Sequence, residues 1–476
     1  MDFSRRPRTS ILSVLLCLSV LFGKASQAQV RADVDTFSTD IHEAINRALE
    51  VSPEVGAVAS ELAFAQARNN LALASRFATE FTLQTAHAVA PGLDIPNPDI
   101  PHDELYLDPD VRNNWEAIRP FNRLDVNLVQ PLYTWGELSG NIRAARFGVD
   151  VEEASVREKE IEVALRTGDL YYGLLLAEAL ERLTIEAGDI VDQAKREIRR
   201  LLDEGADDVD DADLFKVQIT EQEFLRRVVE VDQQLQTMRS ALKLLLFLPN
   251  HVVLEPEDQI LTPIPFELDS LEVYQAQALE ARPEIAQARA GISARDALVD
   301  VARSGYFPKL FLGIDSRITL TEGRFRQPNP YVSDPYRGRS LRAGLGLRLP
   351  LNFAQTRAQV EQAEAQRNEV RHQLTAARQL IRFQVEEAYR AFITNRAAME
   401  TQDTSLTIGR EWLRTEQINF DLDLGDTENL VDAVQAKLEL EATYYERVRR
   451  YNASVLRLLA ATGMLIRRSE SGTLVE

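Results

Sequence analysis

Apolar residues recur along this chain with two different periods, and the periods follow one another in the same order twice. Alternation of period two, the mark of a strand with one apolar face, runs through Phe77, Thr79, Phe81 and Leu83. It returns at Leu124, Val126 and Leu128, which interleave with Arg123, Asp125 and Asn127. Further on, Leu310, Leu312 and Ile314 alternate towards Asp315 and Arg317, and Leu341, Ala343, Leu345, Leu347 and Leu349 interleave with Arg342, Gly344, Gly346 and Arg348. Strands are therefore predicted over about 79–90, 120–132, 308–320 and 340–351. Strands of this length, apolar on one face and charged on the other, suit a barrel in lipid around a wet lumen.

The second period is helical. Gly136 to Glu204 and Ala354 to Leu424 contain no proline and run for 69 and 71 residues, each about 100 Å as a helix. In the second, Val370, Leu374, Ala377, Ile381, Val385, Ala388 and Phe392 step by fours and threes in an eleven-residue repeat. After Asp213, Phe224, Val228, Val231, Leu235, Met238, Leu242 and Leu245 keep a strict heptad, which implies left-handed coiling. Short helices are predicted over Asp40 to Glu50 and Ser270 to Ala281, each stopping before a proline, Pro53 or Pro283. Between the strands of each pair, Pro91 to Arg119 and Thr321 to Arg339 are rich in Pro, Asp and Asn and read as exposed loops.

The chain is duplicated. Leu49-Glu50-Val51-Ser52-Pro53-Glu54-Val55 matches Leu279-Glu280-Ala281-Arg282-Pro283-Glu284-Ile285, and the same spacing carries Phe77 onto Phe307 and Phe81 onto Phe311. Pro131-Leu132 meets Pro350-Leu351, and Tyr171-Tyr172 in one long helix is answered by Tyr389 in the other. The expected organisation is a first repeat over 36–248 with a helical hairpin at 136–248, and a linker over 249–269 holding four prolines. A second repeat over 270–463, with its hairpin at 354–463, precedes a tail over 464–476.

Composition narrows the function. With 54 Lys plus Arg against 74 Asp plus Glu the formal charge is −20 over 476 residues, which argues against nucleic acid as a partner. A single cysteine, Cys17, makes no internal disulfide. Arg5, Arg6 and Arg8, the apolar run Ile11 to Phe22, and a small-residue exit at Ser26 and Ala28 read as a secretory signal over 1–28 cleaved after Ala28. The run is too short to span a bilayer as a helix. His42, His87, His102, His251 and His372 are scattered, and no catalytic, cofactor or metal motif emerges. Asp421 and Asp423 have calcium-loop spacing, but Asp426 stands where that loop needs glycine. An enzyme is not expected.

The paired Leu-Glu-x-x-Pro-Glu segments, the Pro-Leu strand ends, the mid-helix tyrosines and Gly425 to Gln435 opening the last helix resemble the TolC-like outer-membrane efflux proteins, over about Thr36 to Gly463. The resemblance implies an α+β membrane protein in duplicated halves. Three chains would complete a trimeric 12-stranded β-barrel, four strands per chain, joined to a long α-helical periplasmic barrel. It implies a homotrimer in outer-membrane lipid, a passive exit duct for small molecules served by a periplasmic adaptor protein and an inner-membrane transporter, with no cofactor. The adaptor would dock at the hairpin tips around Gly205, Asp207, Asp208 and Gly425. The family's two acids at the closed aperture fall on Asn429 and Asp432, with Glu428 on the same helix face as Asp432 and Asp426 close by. Arg410, Arg414 and Lys216 are the cations expected to offset them. The acidic chain implies a lumen that favours cations, moderated by Arg123, Arg317 and Arg342. Two other readings stay open: the outer-membrane component of type I protein secretion, and a periplasmic coiled-coil spacer or adaptor, which would need no strands.

Overall fold

The computed structural model describes residues 35–77, 80–204, 211–422 and 427–472. The predicted signal over 1–28 lies outside these residues, as do Gly205, Asp207, Asp208, Gly425 and Asp426 of the hairpin tips.

After a four-residue strand β1 (Thr36–Thr39), helix α1 (Ile41–Val51) starts where Asp40 accepts a 2.7 Å hydrogen bond from the Glu43 amide. Ser52 caps the next helix, α2 (Pro53–Ala74), whose first residue is proline. Proline at that place lacks only an amide hydrogen the helix would leave unpaired. The second repeat builds the same joint between α5 (Leu271–Ala281) and α6 (Pro283–Ser304) with different chemistry. Arg282 holds the cap position, pairs with Glu284, and donates to the last carbonyls of another helix at Ala460 and Ala461.

Each of α2 and α6 leads to a strand, and two further strands lead into the long helices. Strands β2 (Glu80–Asp94), β3 (Arg112–Tyr133), β5 (Lys309–Thr321) and β6 (Gly338–Arg348) form an antiparallel sheet in the order β2-β3-β5-β6. β3 continues into α3 (Glu137–Glu204) and β6 into α7 (Phe353–Asp421), of 68 and 69 residues, about 100 Å each. α3 returns as α4 (Asp211–Leu245) and α7 as α8 (Thr427–Ala461). Near the sheet the helices lie in the order α2-α3-α6-α7, the order of the strands they join; farther away α4 and α8 take over beside α3 and α7. No described helix is long and apolar enough to cross a membrane, which says nothing about strands.

The predicted helix stripes are the packed ones. Leu374, Ile381, Val385 and Phe392 are buried on α7, and Val231, Leu235 and Leu242 on α4. The core sits midway along the helices, where Tyr171 and Leu174 of α3 meet Val448, Val455 and Leu456 of α8 and Ile41 and Ile45 of α1. The linker passes over this core and is pinned to it. Asn452 accepts from the Ile264 amide at 2.9 Å and donates to the Thr262 carbonyl at 2.8 Å, while the Tyr171 hydroxyl donates to Asp258 at 2.8 Å. The linker also supplies β4 (Val253–Pro256), which pairs in parallel with β1. A short helix, α9 (Leu465–Glu470), opens the tail against α1, α3 and α8.

One sequence expectation needs correction, and one alignment does not carry over into the sheet. The strand pair β2-β3 runs past Pro91 to Asp94 and starts at Arg112, so the irregular loop is confined to 95–111, with a register shift between Pro91 and Gly92 taking up the mismatch. And Phe81 and Phe311, aligned at constant spacing from the proline joints, lie on opposite faces of the sheet. Phe81 pairs with Leu128, which pairs with Ile314, whereas Phe311 pairs with Gly346. A slip of one residue between helix and strand is enough, because strand side chains alternate faces.

Candidate lipid-facing wall, pore wall and aperture

The registers sort the sheet into two faces. Phe81, Leu83, Leu124, Val126, Leu128, Leu310, Leu312, Ile314, Ile318, Leu320, Leu341, Leu345 and Leu347 fall on one. Several are bare, Leu341 at 74 % exposure being the extreme. From Leu310 to Leu320 the apolar row spans about 33 Å along the strand, or about 25 Å of height at the tilt of a barrel strand. That is the height of the apolar band on proteins embedded by β-strands. At its loop end the face turns polar, with His87 and Asn122 paired at 2.7 Å.

The opposite face is charged. Asp125, 4 % exposed, is held by Arg123 at 2.8 Å and by Arg317 at 2.6 Å from the neighbouring strand. Arg342 lies 3.9 Å from Asp315, and Lys309 meets Glu137 at 2.5 Å where the sheet joins α3. Arg123, Arg317 and Arg342, the lumenal cations expected from alternation, thus share one face. Arg348, named in the same alternation, lies on this face by register, as does Arg119, which the sequence reading placed at the end of a loop.

Aromatic rings mark the junction of sheet and helices. Trp135 stacks on Phe307 at 4.8 Å, meets Tyr133 at 4.9 Å, and donates to the Pro308 carbonyl at 2.8 Å. It does so at φ 51°, a backbone conformation unusual outside glycine that the packing and hydrogen bond hold in place. Tyr306 and Phe353 stack beside it in the other repeat. Amphipathic rings at this level belong to a membrane interface.

At the far end of the sheet the two loops are stapled by one buried arginine. Arg324, 3 % exposed, donates to Asp334 at 2.7 Å, to the Pro91 carbonyl at 3.0 Å and to Asn113 at 2.9 Å, and stands over the Tyr336 ring. The Tyr106 hydroxyl of the first loop donates to the same Asp334 at 2.8 Å. Burial, reinforced by that hydrogen bond to the carboxylate, pushes the Tyr106 phenol up to about 12. Nothing in the local sequence announces this cluster, which joins residues more than two hundred positions apart.

Toward the other end of the helices, Asn429 and Asp432 lie in the first turns of α8, both exposed, with Ala433 buried behind them. Glu428 is in the same helix. Arg410, expected to offset these acids, is instead engaged further along α8 with Glu441 at 3.0 Å. Lys437 binds Glu441 at 2.8 Å and Glu186 of α3 at 2.6 Å, so one network ties α3, α7 and α8. Burial draws the Lys437 ammonium down, but hydrogen bonds to Glu186 and Glu441 outweigh it and hold its pKa above the ordinary lysine value.

Residues 275–464 match the model of the family described as outer membrane efflux protein. Solved structures align over nearly the whole chain. The MtrE outer membrane channel of Neisseria gonorrhoeae, in its open state, superposes with a TM-score of 0.69 at 14 % identity, over 89 % of each chain. The CmeC outer membrane channel of Campylobacter jejuni gives 0.67 at 16 %, over 91 % of this chain and 89 % of that one. The outer membrane protein VceC of Vibrio cholerae gives 0.66 at 15 %, over 89 % and 96 %. This chain has the fold of the outer-membrane efflux channels. The TolC-like resemblance read from the duplicated segments extends to the fold, and the second repeat is the part that matches the family model. The family and these neighbours are outer-membrane channel proteins rather than enzymes. No curated protein sequence matches the chain.

Proposed function

We propose that this chain is the outer-membrane channel-tunnel of a tripartite efflux system. It is a homotrimeric, passive exit duct for small molecules, seated in the outer membrane and extending into the periplasm, with a periplasmic adaptor and an inner-membrane transporter as partners. The observation that carries this reading is the four-stranded sheet itself. It has a lipid-compatible face, a charged face, and two free edges at β2 and β6. Open edges are not tolerated in lipid, and four strands cannot close on themselves. Three copies joined edge to edge supply twelve strands and no edge. The helices leave apolar surface for the same neighbours: α2 buries none of its residues within the chain and bares Phe64 and Leu71.

Trimer closure brings three copies of Asp432, with Glu428 and Asn429, towards the axis at the end remote from the membrane. There they form a ring of like charge that cations neutralise. The hairpin tips, including Gly205, Asp207, Asp208, Gly425 and Asp426, are the docking ground for the adaptor. Detergent-extracted protein is expected to scatter light as three chain masses and to form channels in planar bilayers. Asp432→Ala is expected to raise single-channel conductance and weaken block by multivalent cations added on the hairpin side. A stable, lipid-inserted monomer would overturn the duct, whereas unchanged conductance and block in Asp432→Ala would overturn the aperture alone.

A further inference from the structure

Between the helix junction and the register shift at Pro91, the charged face of the sheet carries six basic residues, Arg119, Arg123, Lys309, Arg317, Arg342 and Arg348, and three acids, Glu80, Asp125 and Asp315; beyond the shift Asp94 and Arg112 pair and cancel. Local pairing does not consume this excess. Lys309 is neutralised by Glu137 outside the sheet. Asp125 satisfies both Arg123 and Arg317, which leaves that triad with one positive charge. Arg342 is 75 % exposed along its side chain, and its nearest acid, Asp315, stands at 3.9 Å, beyond hydrogen-bond length. Arg119 and Arg348 are exposed as well, and the Arg348 guanidinium stands over the Phe311 ring at 5.5 Å with no acid beside it in the ladder. The chain as a whole is acidic, at −20, so the sign of charge on this wall is opposite to that of the molecule.

Beside Arg342 the wall is hollow. Gly313 and Gly344 face each other across β5 and β6, and with Asn127, Asp315 and Glu80 they line a depression of about 430 Å³.

We propose that this wall is an anion-binding stretch of the pore, with Arg342 and Arg348 as its recognition residues, and that it takes small polyvalent anions bearing phosphate or carboxylate groups. The guanidinium fork matches such oxygens two at a time, and a channel with low-dielectric walls focuses the field of its surface charges. The arginines are spaced along the height of the strands, so an anion is passed between sites rather than held at one. The barrel then prefers anions although the chain is acidic, which reverses the preference expected from net charge. The proposal rests on the reading of this face as a pore wall.

The test is calorimetric titration of inorganic tripolyphosphate into the detergent-extracted trimer, for the native protein, for Arg342→Gln with Arg348→Gln, and for Arg339→Gln. Arg339 lies on the same strand as the pair but on the apolar face, so it controls for the loss of charge. Native protein is expected to bind, the paired variant about tenfold more weakly and Arg339→Gln as native, with salt weakening all three. Failure of the native protein to bind, or equal weakening in Arg339→Gln, overturns the proposal. Planar-bilayer conductance separates it from the duct reading: channels without binding refute the anion wall and keep the duct, whereas binding without channels keeps the arginine site but refutes the duct and with it the placing of that site in a pore.

Discussion

Replacing Arg324 by alanine removes a guanidinium that sits 3 % exposed between the two loops. Asp334, itself 9 % exposed, is left with the Tyr106 hydroxyl and the Tyr336 amide but no cation, and the Pro91 carbonyl and Asn113 each lose the Arg324 nitrogen that donates to them. Removing one partner of a buried ion pair costs about 3–5 kcal/mol, because the other charge stays desolvated. The loops can open without unfolding the helices, so the loss is expected to fall on the local equilibrium. At 1.4 kcal/mol per tenfold, even 3 kcal/mol speeds exchange through loop opening by more than about a hundredfold. Hydrogen exchange by mass spectrometry reads this directly. The amides of Glu104 and Leu107, bonded at 2.9 and 2.8 Å within the first loop, should lose protection, while those of α3 and α7 should keep theirs. A second variant, Arg324→Met with Asp334→Leu, removes both charges and should recover most of the protection. Native exchange rates in Arg324→Ala, or no recovery in the double variant, would refute the view that this pair staples the loops.

Two further outcomes follow from the same network chemistry. Because the Tyr106 phenol is raised to about 12 by burial next to Asp334, the folded loop favours its protonated form. That contribution is complete below pH 10 and is lost as pH rises from about 10 to 12. A Tyr106→Phe variant should delete a tyrosinate absorbance step centred near 12, and deletion of a step near 10 would show that the phenol is not buried in solution. Lys437→Met leaves Glu441 with Arg410 alone and Glu186 unpaired, which should destabilise the joint of α3, α7 and α8 by about 2 kcal/mol. Thermal unfolding checks it, and a variant as stable as native would mean the network adds nothing.

The sequence carried the periodic parts of this fold well and the non-local parts poorly. Alternation at Leu124 to Leu128 and at Leu341 to Leu349 marked both the strands and their faces, since a sheet that is wet on one side must alternate. The stripe from Val370 to Phe392 likewise marked the packed face of α7. Duplication located the proline joints but carries no strand register: Phe81 and Phe311, matched at constant spacing, lie on opposite faces, because similarity of segments does not fix a register to within one residue. β1 and β4 are four residues each, too short for any period to show. Arg324 and Asp334 looked like ordinary loop charges, and only the approach of the two loops buries them.

The pairing of β1 with β4 bears on how the chain reaches this structure. Thr36 finds its partner Val253 only after about 200 intervening residues have been made, a separation that slows closure because loop entropy opposes it. During that interval the first strand presents a free edge that can pair with any extended segment nearby, including the same segment of another nascent copy. The four strands of the membrane sheet are likewise split between the two repeats, since β3 meets β5 across the linker. Maturation is therefore back-loaded: the first repeat cannot complete itself, and chains truncated before the linker are expected to be the species that aggregate.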